Sequence, residues 1–369
     1  MQRIALLPVG RNGVPEQPSV LSYREALEPP CVSCATSPCC TYVPMREFQL
    51  NTLADLDYAL YLLNFDRIEI GLAGDGKWEV YYHYPCRFLD RRDFSCGVHG
   101  TPQQPNVCVQ FNPYQCFYKR NLTQNVTEKF LRIDRRRMEF IRDHVTFDES
   151  RVILDVPSWQ TMLEAFAEMP IGPIGKFVDS EPVGDVWLGN AGAGSAGDRD
   201  RPTGPFHFAD EAVQNPCGAC HAYCCTTLMF PRPAPTNATE LDYYRFLLGF
   251  PDIEVGIAGQ AWTVIVRTRC RHLEGNRCAV YGKPERPLRC HFYDAMNCTY
   301  RWRIGAPRSD AFLRVKYEQF DWLAECFPFD QNGKVLELPS MQAIQEHLDD
   351  CRRTTPNQRL TEDSGVRGT

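Results

Sequence analysis

The chain has 369 residues, 43% hydrophobic and 23% charged, with Lys+Arg 40 against Asp+Glu 46 and a net charge of −6. That length suits about two to three domains with a real core. No apolar run approaches the ~18 residues of a membrane span, and the acidic balance argues against a nucleic-acid surface.

Sulfur is the outlying feature. There are 18 cysteines, and no signal-peptide core is read near Met1, since Ile4–Val9 is short and broken by Pro8. The expectation is therefore reduced thiols in a cytoplasmic setting rather than disulfides.

In chain order, residues 1–30 read as a flexible, proline-punctuated segment. A cluster Cys31, Cys34, Cys39, Cys40 follows, and then leucines at helical spacing from Phe48 to Leu63. Arg67–Leu72 and Lys77–Tyr84 read as a hairpin turning at Asp75-Gly76. Cys86, Cys96, Cys108 and Cys116 are expected in loops held by Pro and Gly. A helix is read with Phe130, Ile133 and Ile141 on one face, and a last short helix opens at Ser158, a good N-cap. The Gly/Pro-rich stretch 170–210 has linker composition.

The pattern then repeats. Cys217, Cys220, Cys224, Cys225, Cys270, Cys278, Cys290 and Cys298 reproduce the first eight cysteines at offsets falling only from 186 to 182. Leu241-Asp242-Tyr243 matches Leu56-Asp57-Tyr58, and Ile253-Glu254-Val255-Gly256 matches Ile68-Glu69-Ile70-Gly71. Thr239–Leu248 is the counterpart of the first helix, Asp252–Ile257 and Trp262–Thr268 of the hairpin, and Ser340 of the Ser158 cap. The expected architecture is α+β: module 1 over 31–169, module 2 over 211–351, and a polar tail over 352–369.

Spacing assigns the chemistry. Paired CxxC clusters, with further cysteines downstream, suit thiolate metal sites; eight per module match two four-sulfur sites, or one iron–sulfur cluster plus another site. Adjacent cysteines are expected to point apart and feed separate sites. Tetrathiolate ligands accept iron or zinc, and the awkwardness of Cys39-Cys40 on one tetrahedral ion tips the reading to iron. Arg286 and Arg289 beside Cys290 would offset cluster charge; Gln104 and Val107 stand there in the first copy.

Cys31-x2-Cys34-x4-Cys39-Cys40, Cys217-x2-Cys220-x3-Cys224-Cys225, Cys270-Arg271-His272-Leu273, Cys278-Ala279-Val280-Tyr281 and Arg286-Pro287-Leu288-Arg289-Cys290 together resemble the YkgJ-type cysteine-cluster family. That resemblance implies zinc- or iron-chelating modules. A relative, the flagellin lysine N-methylase, carries such a cluster, so the alternative is an iron–sulfur-dependent enzyme: an oxidoreductase, or one with protein side-chain methylase-like activity. The partners to expect are metal ions, and a protein partner or protein substrate.

Other signals have plainer readings. Arg132–Arg142 reads as a solvated helix face, and Cys326 and Cys351 read as plain thiols because His144 and Met169 occupy the matching positions. The histidines do not recur between copies. Asp57/Asp242 and Glu69/Glu254 recur and read as helix caps or salt-bridge partners ahead of acid–base groups. No phosphate-binding glycine loop and no nucleophile–base constellation is found.

Overall fold

The computed structural model describes residues 37–90, 95–111, 130–172, 222–275, 277–293, 298–305 and 312–354. The expected segment 1–30, nearly all of the expected linker and the tail beyond Thr354 lie outside the described residues.

The fold is α+β. After a 3-10 turn at Pro38–Cys40 come β1 (Tyr42–Phe48), α1 (Leu53–Leu62), β2 (Ile68–Ala73), β3 (Trp78–His83), α2 (Asn106–Gln110), β4 (Phe130–Ile133) and α3 (Arg135–His144). A small hairpin, β5 (Thr146–Phe147) with β6 (Ile153–Asp155), leads to α4 (Trp159–Ala167). The second half contains α5 (Tyr223–Thr226), β7 (Thr227–Pro233), α6 (Ala238–Leu248), β8 (Ile253–Ala258) and β9 (Ala261–Arg267). Then come β10 (Leu273–Glu274), β11 (Arg277–Cys278), α7 (Leu288–His291), β12 (Leu313–Val315), α8 (Phe320–Glu325) and α9 (Met341–Thr354).

Two antiparallel four-stranded sheets result, in the orders β1-β3-β2-β4 and β7-β9-β8-β12. Rank for rank, these orders are the same. Both expected hairpins form, and the first turns through Gly76 at φ +83°, a conformation that suits glycine. The helix starts follow local chemistry. Thr52 and Asp55 form a capping box on α1, Asn237 Oδ1 accepts from Glu240 N at 2.9 Å on α6, and Ser158 and Ser340 cap α4 and α9.

Two expectations are corrected. Phe130 and Ile133 are not on a helix: β4 pairs with β2 through Ile70–Ile133 and Ala73–Phe130, and Asp134 then caps α3, starting it at Arg135. The arginine run is a solvated face only in part: Arg136 and Arg142 are exposed, but two of its members are not. Arg132 is 2% exposed and Arg137 fully buried, because Glu69 and backbone carbonyls take up their N–H groups.

The strands β1 and β7 escape the alternation pattern because prolines interrupt them. Both lie on sheet edges, where a missing N–H is tolerated; β1 also shifts register between Pro44 and Arg46. One core joins the halves: Val43, Tyr61, Phe65 and Tyr82 pack in the same buried cluster as Leu228, Leu247, Phe250 and Val264. Among the described residues no helix is long and apolar enough to cross a membrane.

Candidate metal centre

In each half the adjacent cysteines precede the edge strand. Cys39 and Cys40 lie in the 3-10 turn with sulfurs 3.9 Å apart; Cys224 and Cys225 lie in α5 with sulfurs 4.0 Å apart. They lie side by side rather than aimed apart. A tetrahedral ion with sulfur ligands has edges of about 3.8 Å, so either pair fits two corners of one site.

Backbone hydrogen bonds bring in the third cysteine. Cys86 N donates to Cys40 O at 2.6 Å, and Cys270 N to Cys225 O at 2.7 Å. The fourth is held by strand-like pairing: Cys96 bridges Leu89, and Cys278 pairs with Leu273. The fifth sits on a short helix entered through proline, with Cys108 N donating to Pro105 O and Cys290 N to Pro287 O, each at 2.9 Å.

These thiols feel one another. Burial, then the charges of Cys86, Cys39 and Cys96, hold the Cys108 thiol well above its ordinary range. Burial pushes Cys86 and Cys270 up to about 11, and burial with Cys224 pushes Cys290 up to about 12. Cys40 and Cys225 are raised first by their hydrogen-bonded neighbours Cys39 and Cys224, then by burial. The groups are thus Cys39, Cys40, Cys86, Cys96 and Cys108, and Cys224, Cys225, Cys270, Cys278 and Cys290. All are free thiols. Crowded, partly buried thiols that resist ionising together are a donor set that a cation relieves, which fits a thiolate-bound metal.

The other expected ligands are not brought into these groups. Cys31, Cys34, Cys116, Cys217 and Cys220 lie outside the described residues. Cys298 sits in an apolar cluster with Ile265, Tyr300, Ile304 and Phe312, against which Cys224 packs, and accepts a hydrogen bond from the Tyr293 hydroxyl at 3.4 Å. Among the described residues no three of the cysteine sulfurs lie within 4.8 Å of one another.

Each group lies at the seam between the halves. The Asp242 carboxylate on α6 accepts Asn106 N at 2.5 Å, at the start of the Cys108 helix. Reciprocally, the Asp57 carboxylate on α1 accepts Arg289 N at 3.3 Å, on the Cys290 helix. Arg87 N donates to Gly249 O, and Arg271 N to Asn64 O. Both aspartates are therefore caps, each serving the opposite half. Tyr61 joins the second group from the first half: burial, then Tyr300, Cys290 and Cys224, raise its hydroxyl well above the ordinary range. Composition and periodicity could not show Tyr61 or Gly249 at a seam, because one sequence does not reveal which half covers which.

The remaining recurrent acids are buried salt-bridge partners. Glu69 pairs with Arg132 at 2.6 Å, and Glu254 with Arg314 at 2.6 Å. Of the two arginines near Cys290, Arg286 stacks on Tyr281 and lowers the proton affinity of Cys290 and Cys224, whereas Arg289 turns onto the Tyr58 ring of the first half.

No family model matches the chain, and no curated protein or solved structure is significantly similar to it. The YkgJ-type resemblance rests on the motif residues alone.

Proposed function

We propose that the chain is a metal-binding protein built of two homologous α+β modules, each holding thiolate-ligated metal at its cysteine group. The observation that carries this is the gathering, in each half, of five cysteines from four separate segments into one electrostatically coupled group at matching positions of matching sheets. The CxxC pairs Cys31/Cys34 and Cys217/Cys220, with Cys116 and Cys298, are the further donors this reading assigns. The YkgJ-type resemblance supports the same function.

Iron, as an iron–sulfur cluster, is the preferred metal, with zinc the alternative. The adjacent pairs fit either. Five cysteines in each group exceed the four that close one tetrahedral zinc, which favours a cluster. The iron–sulfur enzyme reading keeps the same ligands and adds a substrate for which no site is identified.

The deciding experiment is anaerobic purification with elemental analysis and a visible spectrum. Brown protein carrying iron and acid-labile sulfide is the expected result. Colourless protein with stoichiometric zinc replaces iron by zinc, and protein that carries neither metal and takes up neither on titration rejects the proposal.

A further inference from the structure

The two halves secure their last helices differently. In the first, Arg137 reaches from α3 to the end of α4: Nη2 donates to Phe166 O at 2.8 Å and Met169 O at 2.7 Å, and Nε to Met169 O at 3.0 Å. In the second, the position matching Arg137 is Gln319, whose buried Nε2 finds no partner. That clamp is missing.

What stands at the corresponding contact is a set of metal-ligating side chains. Cys351 occupies the position of Met169. His347 and Cys351, four residues apart, share one face of α9. Opposite them, at the end of α8, is Glu325. His347 Nε2 lies 3.0 Å from Glu325 Oε2 and 3.5 Å from Cys351 Sγ, and the three ligand atoms lie within 4.8 Å of one another. In a tetrahedral zinc site the nitrogen–oxygen and nitrogen–sulfur edges are about 3.3 and 3.6 Å. Cys326, the residue after Glu325, is near enough to feel the charge of Cys351.

We infer that the second half carries an additional metal site, distinct from the five-cysteine group, in which Glu325, His347 and Cys351 bind a zinc-class divalent cation, with Cys326 available as a fourth ligand. One carboxylate, one imidazole and one thiolate suit zinc and exclude the hard oxygen-seeking cations calcium and magnesium. The ion ties α9 to α8, as Arg137 ties α4 to α3. The first half cannot form the site, because His144 and Met169 replace the two cysteines.

The test is zinc titration of the full chain against a chromophoric chelator, with hydrogen exchange followed on α9. The unaltered chain is expected to take up one equivalent more than a His347→Ala, Cys351→Ser variant, and zinc should slow α9 exchange roughly tenfold in the unaltered chain alone. Glu325→Gln, a change at an exposed side chain, guards against misfolding and should weaken that equivalent by roughly tenfold. Equal zinc uptake by all three proteins, or an extra equivalent that leaves α9 exchange unchanged, overturns the inference. The His347→Ala, Cys351→Ser variant keeps every cysteine of the two five-cysteine groups, so the metal they hold, iron or zinc, is read in it separately, and failure here leaves the proposed function standing.

Discussion

Arg67 and Asp252 occupy corresponding positions in the two halves and bind each other, Arg67 Nη1 lying 3.0 Å from Asp252 Oδ2 with both side chains about nine-tenths buried. Corresponding residues meet in this way when two similar halves face each other about a local two-fold axis. Both also adopt left-handed backbone, at φ +64° and +65°.

A double-mutant cycle tests whether this contact joins the halves. Asp252→Asn keeps a residue that tolerates left-handed backbone and removes only the charge. Denaturant titration should show a loss of about 1–3 kcal/mol. Arg67→Ala also forfeits the stacking on Tyr84 at 3.9 Å, so the coupling energy is the informative quantity, and about 1–2 kcal/mol is expected. Strict additivity would show that the pair contributes nothing between the halves.

The reciprocal caps predict effects that cross the chain. Asp242→Ala alters no cysteine, yet it frees the start of the helix bearing Cys108. Loss of a cap of about 1 kcal/mol should raise the alkylation rate of Cys108 in metal-free protein roughly fivefold. Cys290 should be unaffected. Asp57→Ala should do the reverse, sparing Cys108 and exposing Cys290. Mass spectrometry of labelled peptides reads both, and equal labelling of the two cysteines in either variant defeats the cross-capping account.

Metal removal and pH act on the same thiols with opposite signs. In the metal-free chain burial raises Cys86 and Cys270 to about 11 and Cys290 to about 12, above the unfolded value of about 8.5. The folded state holds these protons more tightly. Their stabilising effect is complete below pH about 8.5 and is lost as pH rises toward 11–12, at no more than about 1.4 kcal/mol per thiol per pH unit. Metal-loaded protein should instead weaken toward acid, where protons compete for thiolates. Melting curves of both forms between pH 5 and 10 check this, and a metal-free protein equally stable at pH 7 and pH 10 contradicts it.

The sequence revealed the elements that obey a period and the pairs that repeat. Both hairpins, the helices opening at Ser158 and Ser340, and the matching of Asp57 with Asp242 could be read because each is local or duplicated. Four things could not. The proline-broken strands β1 and β7 have no alternation to read. Burial of Arg132 and Arg137 depends on partners distant in the chain, Glu69 and the carbonyls of Phe166 and Met169. The seam itself depends on how two similar surfaces meet. The trio Glu325, His347 and Cys351 was invisible to the repeat because it occurs in one copy only.

Gly71 on β2 shows how closely the sheet faces are packed. A Cβ there would overlap the Phe130 ring and stand 2.7 Å from Tyr81 Cε2; at the matching Gly256 it would overlap the Phe312 ring. Glycine is thus required at both positions by a ring lying on the strand rather than by backbone conformation. Gly71→Ala should cost about 1–3 kcal/mol through overpacking, and Gly256→Ala a similar amount. Gly76 has the opposite character: its φ is +83° and no atom lies within 4 Å of an added Cβ, so Gly76→Ala should cost only about 1 kcal/mol of backbone strain. Phe130→Leu, made in the Gly71→Ala background, should recover part of the loss by vacating the space, whereas the same change in the Gly76→Ala background should only destabilise further. Urea titrations of the singles and the two doubles decide it, and a Gly71→Ala protein that Phe130→Leu makes worse would show that the ring does not set the requirement for glycine.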